Sequence, residues 1–110
     1  MIYILNTLIT PINFDQVSEI RVKFRKISVE EAQNLLQKEK WESAVGHLST
    51  AQVLGAILNM EIPCERKTIF VKPGDKCVHF FLKQRLGEGV VLNKEELEKL
   101  NFWLVLSEIE

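Results

Sequence analysis

The chain has 110 residues, a net charge of −1, 46% hydrophobic and 26% charged residues. This is the range of one soluble globular α/β-sized domain, residues 1–110, and not of a disordered segment. The near-neutral balance excludes the basic surplus of a general nucleic-acid binder, so no stable DNA binding is expected. No apolar run reaches the ~18 residues of a membrane span, so no membrane partner is expected either.

In chain order, IYILN (Ile2–Asn6) is a short apolar run ending in a polar residue, which predicts a buried strand. The opening MIYILNTLITPI lacks the basic region and small-residue cleavage site of a signal peptide, which points to an intracellular protein. Polar residues and Pro11 interrupt regular structure. EIRVKFRKI (Glu19–Ile27) alternates, with Ile20, Val22 and Phe24 on one face and Arg21, Lys23 and Arg25 on the other. That predicts a half-exposed strand. Ser28 followed three residues later by Glu31 is a capping-box pattern. It opens a helix with Val29, Ala32, Leu35 and Leu36 inward.

SAVGHLSTAQVLGAIL (Ser43–Leu58) predicts a second helix, capped by Ser49 or Thr50. Its inner face is Ala51, Val53, Leu54, Ile57 and Leu58. RKTIFVK and CVHFFLKQR flank the turn KPGDK and read as a β-hairpin or a close relative of one. RLGEGVV reads as a glycine-flanked loop, NKEELEKL as a short helix capped by Asn93, and FWLVLSEI as the closing strand. The expected order is β, β, α, α, β, β, α, β. It gives one mixed, about five-stranded sheet covered by helices, an α/β fold. Phe102, Trp103, Leu104 and Val105 are consecutive, so both faces of the last strand call for burial. A homodimer would supply the missing cover. Cys64 and Cys77 have no metal-binding spacing and read as two buried thiols, with a disulfide as the minority alternative.

His47 lies behind Gly46 at the mouth of the second helix. Free backbone N–H groups and the positive end of the helix dipole attract phosphate there. An imidazole titrates near pH ~6.5 and can protonate a leaving oxygen at neutral pH. The pairing suits acid catalysis on a phosphodiester. A surface or cap histidine without a task is the alternative. His79, in phase with Cys77 and Phe81, reads as a packed or half-exposed strand histidine. Arg66 and Arg85 fall at predicted strand ends, where a guanidinium can fork onto phosphate oxygens. Glu88 sits between Gly87 and Gly89, which let the loop aim a carboxylate inward. No metal motif appears, and no metal or cofactor is expected.

SAVGHLSTAQVL together with KQRLGEGVVLNKEEL resembles a family of small viral and phage proteins once classed as a domain of unknown function, the anti-CRISPR ring nucleases that antagonise type III CRISPR defence. IYILN is also similar, and the resemblance runs through essentially the whole chain. The Gly-His-x-Ser-Thr helix start and the Gln-Arg-Leu-x-Glu-Gly loop are its most specific parts. It implies a homodimer that cuts cyclic tetra-adenylate without metal, inside the cytoplasm of the host cell. The 2′-hydroxyl attacks the adjacent phosphate, leaving linear di-adenylate with a 2′,3′-cyclic phosphate. By this resemblance His47 is the general acid, and Arg85 and Glu88 complete the catalytic site. Arg66, Asn6, Ser49, Thr50 and Gln84 are then the ligand-binding residues. Glu65 stands where relatives often have Asn, and Gly87 where they have Pro or Glu; neither change removes a reacting group. A two-fold dimer would match the two-fold axis of a four-nucleotide ring and yield two equal dinucleotides. The other class of function is a non-catalytic dimer, either a sponge for the cyclic nucleotide or a regulator that binds nucleic acid or protein.

Overall fold

The computed structural model describes residues 1–83, 95–96 and 99–110. Among the described residues, five strands and two full helices follow in the order β1 (Ile2–Leu5), β2 (Val22–Lys26), α1 (Val29–Lys38), β3 (Trp41–Ser43), α2 (Leu48–Leu58), β4 (Lys76–Leu82) and β5 (Phe102–Ile109). They form one mixed sheet in the order β2-β5-β4-β1-β3. β1 is parallel to both β3 and β4, and β5 is antiparallel to both β4 and β2. The carboxyl ends of the three parallel strands therefore share one edge, the place where ligands bind in open α/β sheets.

The main core lies between the helices and one sheet face. Ile2, Ile4, Val78, Phe80, Leu104 and Leu106 pack against Ala32 and Leu36 of α1 and Ala51, Leu54 and Leu58 of α2. The predicted inner faces of both helices are those observed, with Val29, Leu35 and Ile57 only partly buried. The Ser28 hydroxyl accepts from the Glu31 amide at 3.1 Å, as the capping pattern requires. The Glu31 carboxylate does not complete the box. It accepts from the Arg25 guanidinium at 2.8 Å.

The other face carries a smaller core of Leu5, Ala44, Val71, Cys77 and Ile109, covered by Ile12, Ile20 and Ile69. No helix reaches it among the described residues. Here the sequence reading needs correction. RKTIFVK is not a strand of a hairpin; it is an extended cover that joins Ile12 through one bridge at Val71. Its alternation is real, with Ile69 and Val71 inward and Phe70 53% exposed, but it packs across the sheet and not in it. The sheet position beside β1 belongs to Trp41–Ser43, three residues too few to show a period. The KPGDK turn does form. Gly74 takes φ +96°, and the Asp75 carboxylate accepts from the Lys72 amide at 3.0 Å. It leads into β4 alone.

Phe24 also departs from the expected inward face. It is 52% exposed and lies over the His79 ring, with centroids 5.9 Å apart. Cys64 is exposed, against the expectation of two buried thiols, and both cysteines are free. Burial pushes the Cys77 thiol up to about 11, so it acts as a small apolar filler. Of the expected helix at residues 93–100, Glu95 and Glu96 are helical. Its cap Asn93 and the RLGEGVV loop lie outside the described residues.

Candidate functional site

Parallel β1 and β3 end side by side at Leu5 and Ser43. The chain continues from them as Asn6–Thr7 and as Ala44–Gly46, and these stretches wall one side of a trough. The third wall is the segment Cys64–Ile69. A Glu65 N–H donation to the Val45 carbonyl at 2.9 Å holds it against the end of β3. Three adjoining cavities make up the trough. Gly46, His47, Ser49, Gln52, Cys64 and Arg66 line one of about 280 Å³. Asn6, Ala44, Gly46, Arg66, Lys67 and Thr68 line a second of about 390 Å³. The third, again about 280 Å³, runs on past Thr7, Ile9 and Pro11.

His47 is itself the N-cap of α2, in extended conformation, and its side chain makes no capping hydrogen bond. The expectation that Ser49 or Thr50 would cap it is corrected, because the helix starts earlier, at Leu48. A cap residue must be extended, and His47 has φ −125° and ψ 120°. The first-turn amides of α2 thus begin beside the imidazole, and the cap side chain does not take them up. Thr50 sits within that first turn, its hydroxyl 3.3 Å from His47 Nδ1. The contact ties the imidazole to the first turn of its own helix. Ser49 is 2% exposed yet contributes to the cavity wall.

Arg66 donates from Nε to the Gly46 carbonyl at 2.6 Å. A side chain at position 46 would bring its Cβ to 3.1 Å from Arg66 Cγ. The sequence reading gave Gly46 the task of admitting a ligand to the backbone; its tighter constraint is admitting Arg66. Asn6 lines two of the three cavities. His47, Arg66 and Asn6, far apart in sequence, therefore meet along one trough, with the start of α2 at its end. Gln84, Arg85 and Glu88 lie outside the described residues.

Gln52, Lys67 and Thr68 line the trough and were missed. The reason is the mistaken strand. In a strand, Arg66 and Lys67 would point to opposite faces. In the cover segment Arg66, Lys67 and Thr68 all border one cavity. The Lys67 ammonium also meets the Glu42 carboxylate at 3.2 Å. Among the described residues, no group of three or more His, Cys, Asp or Glu could hold a metal ion. Among them too, no helix is long and apolar enough to cross a membrane.

A family model described as STIV B116-like matches residues 2–104. The chain belongs to the STIV B116-like family. Uncharacterized protein 26 of Sulfolobus islandicus filamentous virus (isolate Iceland/Hveragerdi) is 43% identical over 107 residues, covering 94% of this chain and 89% of that protein. Uncharacterized protein ORF117 of Acidianus two-tailed virus is 34% identical over 105 residues, 93% and 87% of the two chains. Both relatives are viral proteins. Among solved structures, B116 of Sulfolobus turreted icosahedral virus superposes with a TM-score of 0.80 over 97% of each chain. At 18% identity that likeness speaks for the fold of the family, including its five-stranded mixed sheet, and for nothing further.

Proposed function

We propose that this STIV B116-like protein is a metal-independent ring nuclease that opens cyclic tetra-adenylate and silences type III CRISPR signalling in the host cytoplasm. The observation that carries the reading is the trough in which His47, Arg66 and Asn6 meet the start of α2. A phosphodiester suits this setting. The helix-start amides and the Arg66 guanidinium meet its charge. The ribose 2′-oxygen forms a bond to phosphorus, its hydroxyl proton passing to solvent, while the bond to the neighbouring 5′-oxygen breaks. His47 delivers a proton to that leaving oxygen. The products are linear di-adenylates ending in a 2′,3′-cyclic phosphate. Arg85 and Glu88 complete the catalytic set in this proposal, with Gln84, Ser49 and Thr50 beside the ligand.

A homodimer is part of the proposal. On the sheet face opposite the helices, Phe24, Phe81 and Trp103 form an apolar strip, with Trp103 37% exposed and stacked on Phe81 at 5.4 Å. A second copy resting there would cover it, and light scattering measures the resulting mass. The deciding experiment incubates the protein with cyclic tetra-adenylate in EDTA and resolves the products. Linear di-adenylate with a cyclic phosphate supports the enzyme. A ring that is bound and returned intact defines a sponge. No preference for the ring, with a steep salt dependence on DNA, defines a nucleic-acid regulator.

A further inference from the structure

His79 lies in the middle of β4, completely buried, opposite Leu5 of β1 and Val105 of β5. Both ring nitrogens are engaged. Nδ1 lies 2.6 Å from the Thr7 carbonyl oxygen, and Nε2 lies 2.8 Å from the Ser107 hydroxyl. A carbonyl can only accept, so Nδ1 carries the proton. The neutral ring then accepts at Nε2 from Ser107, whose oxygen in turn accepts from Thr10 at 3.5 Å. The chain of bonds starts and ends on one loop: Thr10 to Ser107 to His79 to Thr7. That loop leaves β1 at Leu5, passes through Asn6 and borders the trough with Thr7, Ile9 and Pro11. Asn6 is therefore held between two fixed points, the sheet pairing of Leu5 and the anchored carbonyl of Thr7.

We propose that His79 is a positioning residue for the trough: by holding the Thr7 carbonyl from beneath the loop, it fixes Asn6 and the Thr7–Thr10 turn in the shape that receives the adenylate ring. It touches neither ligand nor reacting atoms. The inference rests on the ring-nuclease reading for the identity of the ligand. A histidine serving only as core filler would act on stability alone. A positioning histidine acts on loop order and on affinity.

The test uses the full chain with cyclic tetra-adenylate as the probe. Hydrogen exchange of the amides at residues 7–10 is followed without ligand in wild type, His79→Phe and His79→Asn. Equilibrium binding and single-turnover cleavage at saturation follow on the same proteins. Phe keeps the ring shape and loses both polar atoms. Asn keeps a donor near the position of Nδ1. His79→Phe is expected to speed exchange at those amides and weaken ring binding, each about tenfold, with saturated cleavage within about threefold of wild type. His79→Asn is expected to restore both. Should His79→Phe not fold, Ser107→Ala, which releases Nε2 and the Thr10 hydroxyl but leaves the Nδ1 bond to the Thr7 carbonyl, is expected to weaken binding about threefold and to speed loop exchange; no change in either measurement then overturns the inference. Wild type that binds the ring while a folded His79→Phe binds it equally well overturns this inference alone. Wild type that binds no ring overturns the ring-nuclease reading, and this inference with it.

Discussion

The chain has two histidines, and they occupy opposite kinds of environment. His47 is half-buried at the mouth of a helix, with one nitrogen near a hydroxyl and a cavity beside it. His79 is fully buried, with each nitrogen engaged by a partner from a different element. An imidazole that transfers protons needs a free nitrogen, access to the ligand and a neighbouring anion site. His47 has the cavity, and the proposed reading gives it the rest. An imidazole that organises structure needs two fixed partners and no water, which describes His79. Residue type is the same; the chemistry is set by what surrounds each ring.

The largest expected effect breaks the comparison at His47. His47→Ala should slow single-turnover cleavage of cyclic tetra-adenylate by about 10²- to 10⁴-fold, roughly 3–5 kcal/mol of barrier. Ring binding and melting temperature should change little, because the helix-start amides and Arg66 remain. EDTA should leave wild-type cleavage unaltered. A His47→Ala protein that cuts at the wild-type rate would return His47 to the status of a plain cap residue.

Next in size is the anion contact. Arg66→Ala should weaken ring binding about tenfold, as expected for one charge-assisted hydrogen bond, with a smaller change in saturated cleavage. Gly46→Ala sharpens the point. Its new Cβ would stand 3.1 Å from Arg66 Cγ, so the arginine must shift while keeping its charge. Binding should weaken here too, though by less. If Gly46→Ala weakens binding and Arg66→Ala does not, the contact belongs to the backbone around Gly46 and not to the guanidinium.

Thr50→Val is a finer probe. It removes the hydroxyl 3.3 Å from His47 Nδ1 while keeping a side chain of similar shape. Ring binding should hold, and saturated cleavage should fall a few-fold as the imidazole loses its orientation, on the order of one neutral hydrogen bond. Equal losses in binding and cleavage would assign Thr50 to the ligand directly, as the family resemblance does.

Much of this was legible in the sequence, for physical reasons that can be named. Ser28 with Glu31, and the spacing of Ala32, Leu36, Ala51, Leu54 and Leu58, announce the helices because capping and 3.6-residue periodicity are local rules. The total of five strands survives, but one member was exchanged. Ile69 and Val71 alternate as a strand does, yet they cover a sheet face instead of joining an edge. Trp41–Ser43 joins the edge with no local signal at all, since three residues beside β1 are held by pairing made far away in sequence. That exchange concealed Lys67 and Thr68 as trough residues. The place of His47 at a helix start was legible because a helix start is a local feature; its neighbour Thr50 was misread as a cap because the helix begins at Leu48, earlier than the hydroxyls suggested.

The smallest expected effect concerns pH and tests the His79 side of the comparison. Burial drives the His79 imidazole below its ordinary pKa, partly offset by the bond to the Thr7 carbonyl. Among the described residues, the groups around the ring are the Thr7 carbonyl, the Ser107 hydroxyl, the Phe24 ring from β2 and, two residues along β4, the neutral Cys77 thiol. None of them is charged. The unfolded chain, with an imidazole near pH ~6.5, binds a proton before the folded chain does. The stabilisation is therefore complete above the unfolded value and is lost as pH falls from there through the lower folded value. His79→Asn cannot titrate, so it should lack this part of the slope. Denaturant midpoints of wild type and His79→Asn should run parallel above pH ~7 and converge as pH falls below ~6.5. Carboxylates protonate in both proteins at still lower pH, so the difference between the two curves isolates the histidine. A constant offset across the whole range would mean that His79 keeps its proton affinity on folding, and the picture of a dry, neutral ring bridging two elements would fail.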